Sequence, residues 1–108
     1  MNIKRLQAYR PQAKVFKALG HPARLLILNE LGEGERCVCD LTELVGARMA
    51  TVSRHLSVLR EAGLVEDEKR GAQVFYRLSN RCVLNFFKCL QQLESARARE
   101  QEEGLNPG

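Results

Sequence analysis

Nowhere does the sequence of 108 residues approach the ~18 consecutive apolar residues that a membrane-spanning helix requires. Its first residues lack the apolar core of a secretory signal, so a cytoplasmic location with no membrane contact is expected. No glycine-rich loop stands where it could cradle a phosphate, and no Ser/His/Asp set or paired acid and base has a supporting context. The βαβ alternation that would carry a Cys-x-Cys oxidoreductase is missing as well, and catalysis is not expected. Internal repeats are absent. Acidic side chains are missing from residues 1–29, a stretch that holds Lys4, Arg5, Arg10, Lys14, Lys17 and Arg24. Charge of one sign over such a stretch points to a polyanionic partner.

What is present is a globular composition, 44% hydrophobic and 28% charged with a net charge of +4, in a length that suits one domain. A domain of this size buries only about 60–70% of its unfolded surface, so an apolar face left over favours a dimer. The four cysteines, in a chain without an export signal, read as free thiols and not as a disulfide framework.

Pro11 and Pro22 suit the first turns of two helices, within "PQAKVFKALG" and "HPARLLILNELGEG", which stop at Gly20 and Gly32. "DLTELVG", from Asp40 to Gly46, reads as a third helix with Asp40 able to cap it. "ATVSRHLSVLREAG", from Ala50 to Gly63, reads as a fourth, with Val52, Leu56 and Leu59 at i, i+4 and i+7. Only Ala47 to Met49 separate these two helices, which is the plan of a helix-turn-helix. A charged arm then turns at Gly71 and Ala72 into the alternating Val74, Tyr76 and Leu78, the pattern of a β-hairpin wing. A last helix carries Val83, Phe86, Phe87, Leu90 and Leu93 on one face. The expected fold is mainly α, a dimeric winged helix-turn-helix of about five helices and a two-stranded wing over residues 1–99. A polar tail, residues 100–108, is expected to fray.

On the fourth helix Val52, Leu56 and Leu59 face the core, which leaves Ala50, Arg54, Ser57 and Glu61 opposite, flanked by Thr51 and Ser53. Arg54 can bind a guanine edge bidentately or clamp a phosphate, while Thr51 and Ser53 offer hydroxyls near the helix start. Arg48 in the turn, Lys69 and Arg70 at the wing tip, and Arg77 would add phosphate contacts that carry no sequence information.

From Ala18 to Ser79 the chain resembles the ArsR/SmtB family of metal-responsive repressors, through "ALGHPARLLILNEL", "TVSRHLSVLREAGLVEDEKRG" and "VFYRLS". "ERCVCDL" resembles the arsenic-sensing branch. The resemblance implies a winged helix fold, binding to inverted-repeat operator DNA, and release from that DNA when ligand binds. It also implies a homodimer built from the first and last helices, here Phe16 with Val83, Phe86, Phe87, Leu90 and Leu93. Two positions depart from the pattern. Thr42 stands where the branch often has a third cysteine, and Arg48, Met49 and Ala50 replace a polar Ser-Gln-Ser. Met49 and Ala50 lack groups that hydrogen-bond base edges, so apolar contact with thymine methyls is the substitute.

Trivalent arsenic and antimony take up to three thiolates, in keeping with the preference of soft ions for cysteine. Cys37 and Cys39 can supply two, with the third position left to hydroxide, a small thiol or another cysteine. In a continuous helix residues i and i+2 point about 200° apart, so capture needs non-helical backbone from Cys37 to Cys39. Arsenite or antimonite is therefore the expected inducer, and no cofactor is expected for DNA binding itself. A thiol redox or persulfide sensor is the second reading, and a zinc or cadmium sensor a third. His21 reads as a helix cap and His55 as a packing or DNA-backbone residue. Cys82 and Cys89 stand about 10 Å apart along the last helix, too far to share one small ion within a chain.

Overall fold

The computed structural model describes residues 1–105, with side chains described through Gln101. Six helices and a small antiparallel sheet follow the chain order α1 (Ile3–Ala8), α2 (Arg10–Leu19), α3 (Pro22–Leu31), β1 (Arg36–Cys37), α4 (Val38–Val45), α5 (Met49–Glu61), β2 (Val65–Arg70), β3 (Gln73–Leu78) and α6 (Val83–Leu105). The helix α1 was not expected from the sequence. It holds no buried residue, and it starts where the Asn2 side chain accepts a hydrogen bond from the Arg5 N–H at 3.1 Å. Pro11 lies in the first turn of α2 and Pro22 in that of α3, as their fixed φ favours. His21 caps α3, its Nδ1 accepting from the Ala23 N–H at 3.1 Å.

The hairpin joins β2 to β3 with Arg70 opposite Gln73, leaving Gly71 and Ala72 as a two-residue loop. Gly71 has φ +62° and no non-glycine residue among those described has positive φ, so Ala72 follows with negative φ, the pattern of a type II′ turn matched to the strand twist. A third strand completes the sheet in the order β1-β3-β2, with Arg36 opposite Tyr76 and Cys37 opposite Phe75. The wing is thus three-stranded where the sequence pattern indicated two strands, because a two-residue strand has no periodicity to read.

Ile27, Leu28 and Leu31 of α3, Leu41 of α4, Val52, Leu56 and Leu59 of α5 and Val65 of β2 form the core, none more than 2% exposed. The i, i+4, i+7 stripe of α5 therefore packs inward as its spacing predicts. Helix α6 begins against this core through Val83 and the partly buried Leu84 and Phe87. It then runs on with Phe86, Leu90 and Leu93 exposed. Val83, expected in a dimer interface, belongs instead to the core of its own chain at 2% exposure. The helix continues through Leu105, past the point from Glu100 at which the polar tail was expected to fray; residues 106–108 of that tail lie outside the described residues.

Candidate nucleic-acid interface and thiol pair

Helices α4 and α5 meet through Gly46, whose φ of +72° is left-handed and whose N–H bonds the Thr42 carbonyl at 3.0 Å. Glycine fits that conformation without the steric cost a side chain would bring, and it turns the chain into α5. Arg48 is the N-cap of α5, and its side chain makes no capping hydrogen bond. The side chains of Arg48, Thr51, Ser53 and Arg54 are exposed, and Ser57 is half-buried. Arg54 and Ser57 thus lie across α5 from Val52, Leu56 and Leu59, with Thr51 and Ser53 on the flanks and Arg48 at the helix start.

Electrostatics separates the basic residues into two groups. Arg60 pairs with Asp67 at 2.9 Å, Arg77 with Glu66 at 3.0 Å, and Arg70 with Glu35 and Glu68. Arg70 also lies over the Phe75 ring, 4.8 Å from its centroid. Hydrogen bonding and the charge of Arg70 hold the Glu68 carboxyl below its ordinary range, and the bonds to Glu35 and Glu68 push the guanidinium up. Arg48, Arg54 and Lys69 have no acidic partner among the described residues. Sequence reasoning missed Glu35, which holds Arg70 across 35 positions; nothing local signals such a contact.

A second cluster joins α5 to the start of α3. The Arg24 Nε donates to His55 Nδ1 at 3.1 Å, and the His21 and His55 rings lie 4.4 Å apart. With Nδ1 accepting, the neutral His55 ring carries its proton on Nε2. Burial lowers the His55 pKa first, and the charges of His21, Arg24 and Arg54 lower it further.

The thiols sit directly in front of the helix-turn-helix. Cys37 is extended (φ −80°, ψ 161°) and is itself the N-cap of α4, its Sγ accepting from the Asp40 N–H at 3.4 Å. Asp40, expected to cap, is instead in the first turn. Cys39 is already helical, so the pair straddles the helix boundary, with Cys37 buried and Cys39 exposed. The Thr42 hydroxyl donates to the Val38 carbonyl at 2.8 Å and ties down the first turn of α4. Both cysteines line one cavity of about 260 Å³. Its other walls are Val38 of α4, Met49 and Ser53 of α5, and Ala72, Gln73, Val74 and Tyr76 of the wing. The sequence presents Met49 only as a DNA contact, and its place in this wall has no local sequence signal. Cys82 borders a different cavity, between α2 and α6, and Cys89 is exposed on α6.

Several large apolar side chains of the N-terminal helices and of α6 are exposed. Ile3, Leu6 and Tyr9 of the α1 region and Phe16 of α2 are each at least half exposed. Phe16 meets Phe86 edge to face at 6.0 Å, and Leu90 and Leu93 extend the surface along α6. No helix among the described residues is long and apolar enough to cross a membrane.

The sequence model described as "Bacterial regulatory protein, arsR family" matches residues 21–67. The chain is 48% identical over 69 residues to the arsenical resistance operon repressor of Escherichia coli, covering 61% of this chain and 57% of that protein. It is 39% identical over 74 residues to the cadmium resistance transcriptional regulatory protein CadC of Lactococcus lactis, covering 68% of this chain and 62% of that one. Among solved structures it is similar to the homodimeric winged helix-turn-helix DNA-binding domain of a possible ArsR-family transcriptional regulator from Mycobacterium bovis. That likeness has a TM-score of 0.75 and 31% identity, and covers 96% of this chain and 93% of the other.

Proposed function

Since the chain belongs to the arsR family of bacterial regulatory proteins and is a DNA-binding transcriptional repressor, we propose that it acts as a homodimer whose inducer is trivalent arsenic or antimony captured by Cys37 and Cys39. The observation that carries this reading is the shared cavity: Cys37 and Cys39 line it together with Met49 and Ser53 of the recognition helix and Ala72 to Val74 of the wing. A ligand held there presses on both elements that meet DNA.

Capture also has a conformational consequence. Cys37 is extended and Cys39 helical, so drawing both sulfurs onto one ion opens the first turn of α4. The Cys37 sulfur then leaves the Asp40 N–H, and the Thr42 bond to Val38 is strained. Helix α4 packs on α5, so a change at its start re-aims Arg48 to Ser57 relative to the groove. Arg54 reads bases, while Thr51, Ser53, Ser57, Arg48 and Lys69 position the helix and wing on phosphate. Arg70 joins them only when it leaves Glu35 and Glu68. The exposed Phe16, Phe86, Leu90 and Leu93 support a dimer formed by α1, α2 and α6. The two-fold axis then sets two recognition helices about 34 Å apart, one DNA turn.

Fluorescence anisotropy of operator DNA tests the reading, with arsenite, antimonite, cadmium and peroxide added in turn under a phosphine reductant, which is left out of the peroxide titration. Release by arsenite or antimonite, abolished in Cys39→Ser without loss of DNA affinity, is the expected result. Release by cadmium alone, or only by peroxide, would replace the arsenical reading by a cadmium or thiol redox sensor.

A further inference from the structure

The cluster that joins α5 to the start of α3 serves neither the thiol pair nor the dimer. Consecutive helical residues turn by about 100°, so Ser53, Arg54 and His55 look in three directions. Ser53 edges the cavity beside the wing, Arg54 lies across α5 from the core, and His55 meets α3 through Arg24. A helix in a major groove about 12 Å wide has a phosphate backbone along each edge. On the wing side Lys69 is without an acidic partner. On the α3 side stand His21, Arg24 and His55, which likewise have none among the described residues.

Hydrogen bonding fixes what the two rings offer. His21 Nδ1 accepts from the Ala23 N–H and His55 Nδ1 from the Arg24 Nε–H, each at 3.1 Å. Each neutral ring therefore carries its proton on Nε2. Neither Nε2 has a hydrogen-bond partner among the described residues, and no side-chain nitrogen among them is buried without one, so both N–H groups open to solvent. A metal ion would need a lone pair there; an oxyanion needs the hydrogen. The ring centroids lie 4.4 Å apart, close enough for two donors to share one phosphate. Arg24, held also by the Ala18 carbonyl at 3.4 Å, polarises the His55 ring and strengthens its outward N–H. The charged groups acting on His55 are His21, Arg24 and Arg54, none of them acidic.

We propose that His21 and His55 form a phosphate clamp of two neutral imidazoles, which grips the DNA strand across the groove from the one the wing meets, with Arg24 as its positioning residue. The clamp rests on the reading that α5 enters the groove with Arg54 foremost, and is independent of the inducer.

Asparagine separates the donor from its support. It places an acceptor where Nδ1 stands and no donor at Nε2, so His55→Asn keeps the Arg24 bond and His21→Asn keeps the α3 cap. Anisotropy titrations use the duplex that the full chain itself selects from random-sequence DNA, and a random duplex beside it. Each asparagine variant is expected to bind both duplexes at least about tenfold more weakly, the scale of one hydrogen bond to a charged group. His55→Gln, which restores a donor near Nε2, is expected to lose less. A neutral methylphosphonate is then placed at one phosphate at a time. At one position per half-site, distinct from the one that couples to Lys69→Ala, it is expected to weaken the parent chain about tenfold and His55→Asn hardly at all. Unchanged affinity in both asparagine variants, losses that add at every phosphate, or a parent chain indifferent to every phosphate of that strand would overturn the clamp and leave Arg54 as reader. Arg54→Ala without effect on the selected duplex would remove α5 from the groove and the clamp with it.

Discussion

Replacing Cys37 by Ala and, separately, by Ser is expected to pull helix capping apart from inducer capture. The Cys37 sulfur accepts the Asp40 N–H at 3.4 Å and is 7% exposed as a residue, so Ala removes both a cap and a buried atom. Losing an oxygen cap costs about 0.5–2 kcal/mol. A sulfur acceptor is weaker, which places the capping loss near the lower end, and the cavity adds a similar amount, for a total of about 1–2 kcal/mol. In a domain of this size that lowers the Tm by about 4–10 °C. Serine is among the preferred N-caps, and its oxygen can accept the same N–H; burying its hydroxyl offsets part of the gain, so Cys37→Ser stays within about 1 kcal/mol of the parent. Thermal unfolding followed by circular dichroism reads the difference, at one fixed concentration because a dimer's Tm depends on it. Operator release by arsenite is expected to vanish in both variants. A serine variant as unstable as the alanine one would refute the capping argument, and full induction of either would refute the sensing role.

Arg54→Ala is expected to weaken specific operator binding by about 1–3 kcal/mol, whereas Lys69→Ala weakens all sequences alike and lowers the salt slope by about 1. Anisotropy titrations on operator and random DNA across a salt series check both, and equal losses for Arg54→Ala would make it a phosphate clamp. Leu93→Glu, at a residue 66% exposed, is expected to leave the fold intact and shift sedimentation toward monomer; an unchanged dimer would move the interface off α6. Below the ordinary His value of 6.5, the unfolded chain takes up a proton that folded His55 resists, since its folded pKa is lowered. Stability is therefore full above pH 6.5 and falls as pH drops from there toward the folded pKa, with loss of the Arg24 bond. Denaturant midpoints measured from pH 7.5 to 5 should show this fall, and His55→Gln should flatten it.

Much of the frame was legible in the sequence because its signals are short-ranged. The stripe of Val52, Leu56 and Leu59 follows from 3.6-residue periodicity, the hairpin from alternation around Gly71, and the His21 cap from the proline after it. Each depends on neighbours within a few positions. Even there, boundaries moved: Cys37, not Asp40, caps α4, since the extended pairing of Arg36 and Cys37 with Tyr76 and Phe75 brings the sulfur to the helix start. That pairing joins segments nearly forty residues apart and spans two residues only, so no periodicity announces it. The same holds for Glu35 against Arg70 and Arg77, for Arg24 against His55, and for the inward turn of Val83. Chain composition determined that two thiols precede a reading helix. Tertiary packing alone decided that Cys37 and Cys39 line one cavity with Met49 and the wing, because a cavity exists only where elements remote in sequence fail to fill the space between them.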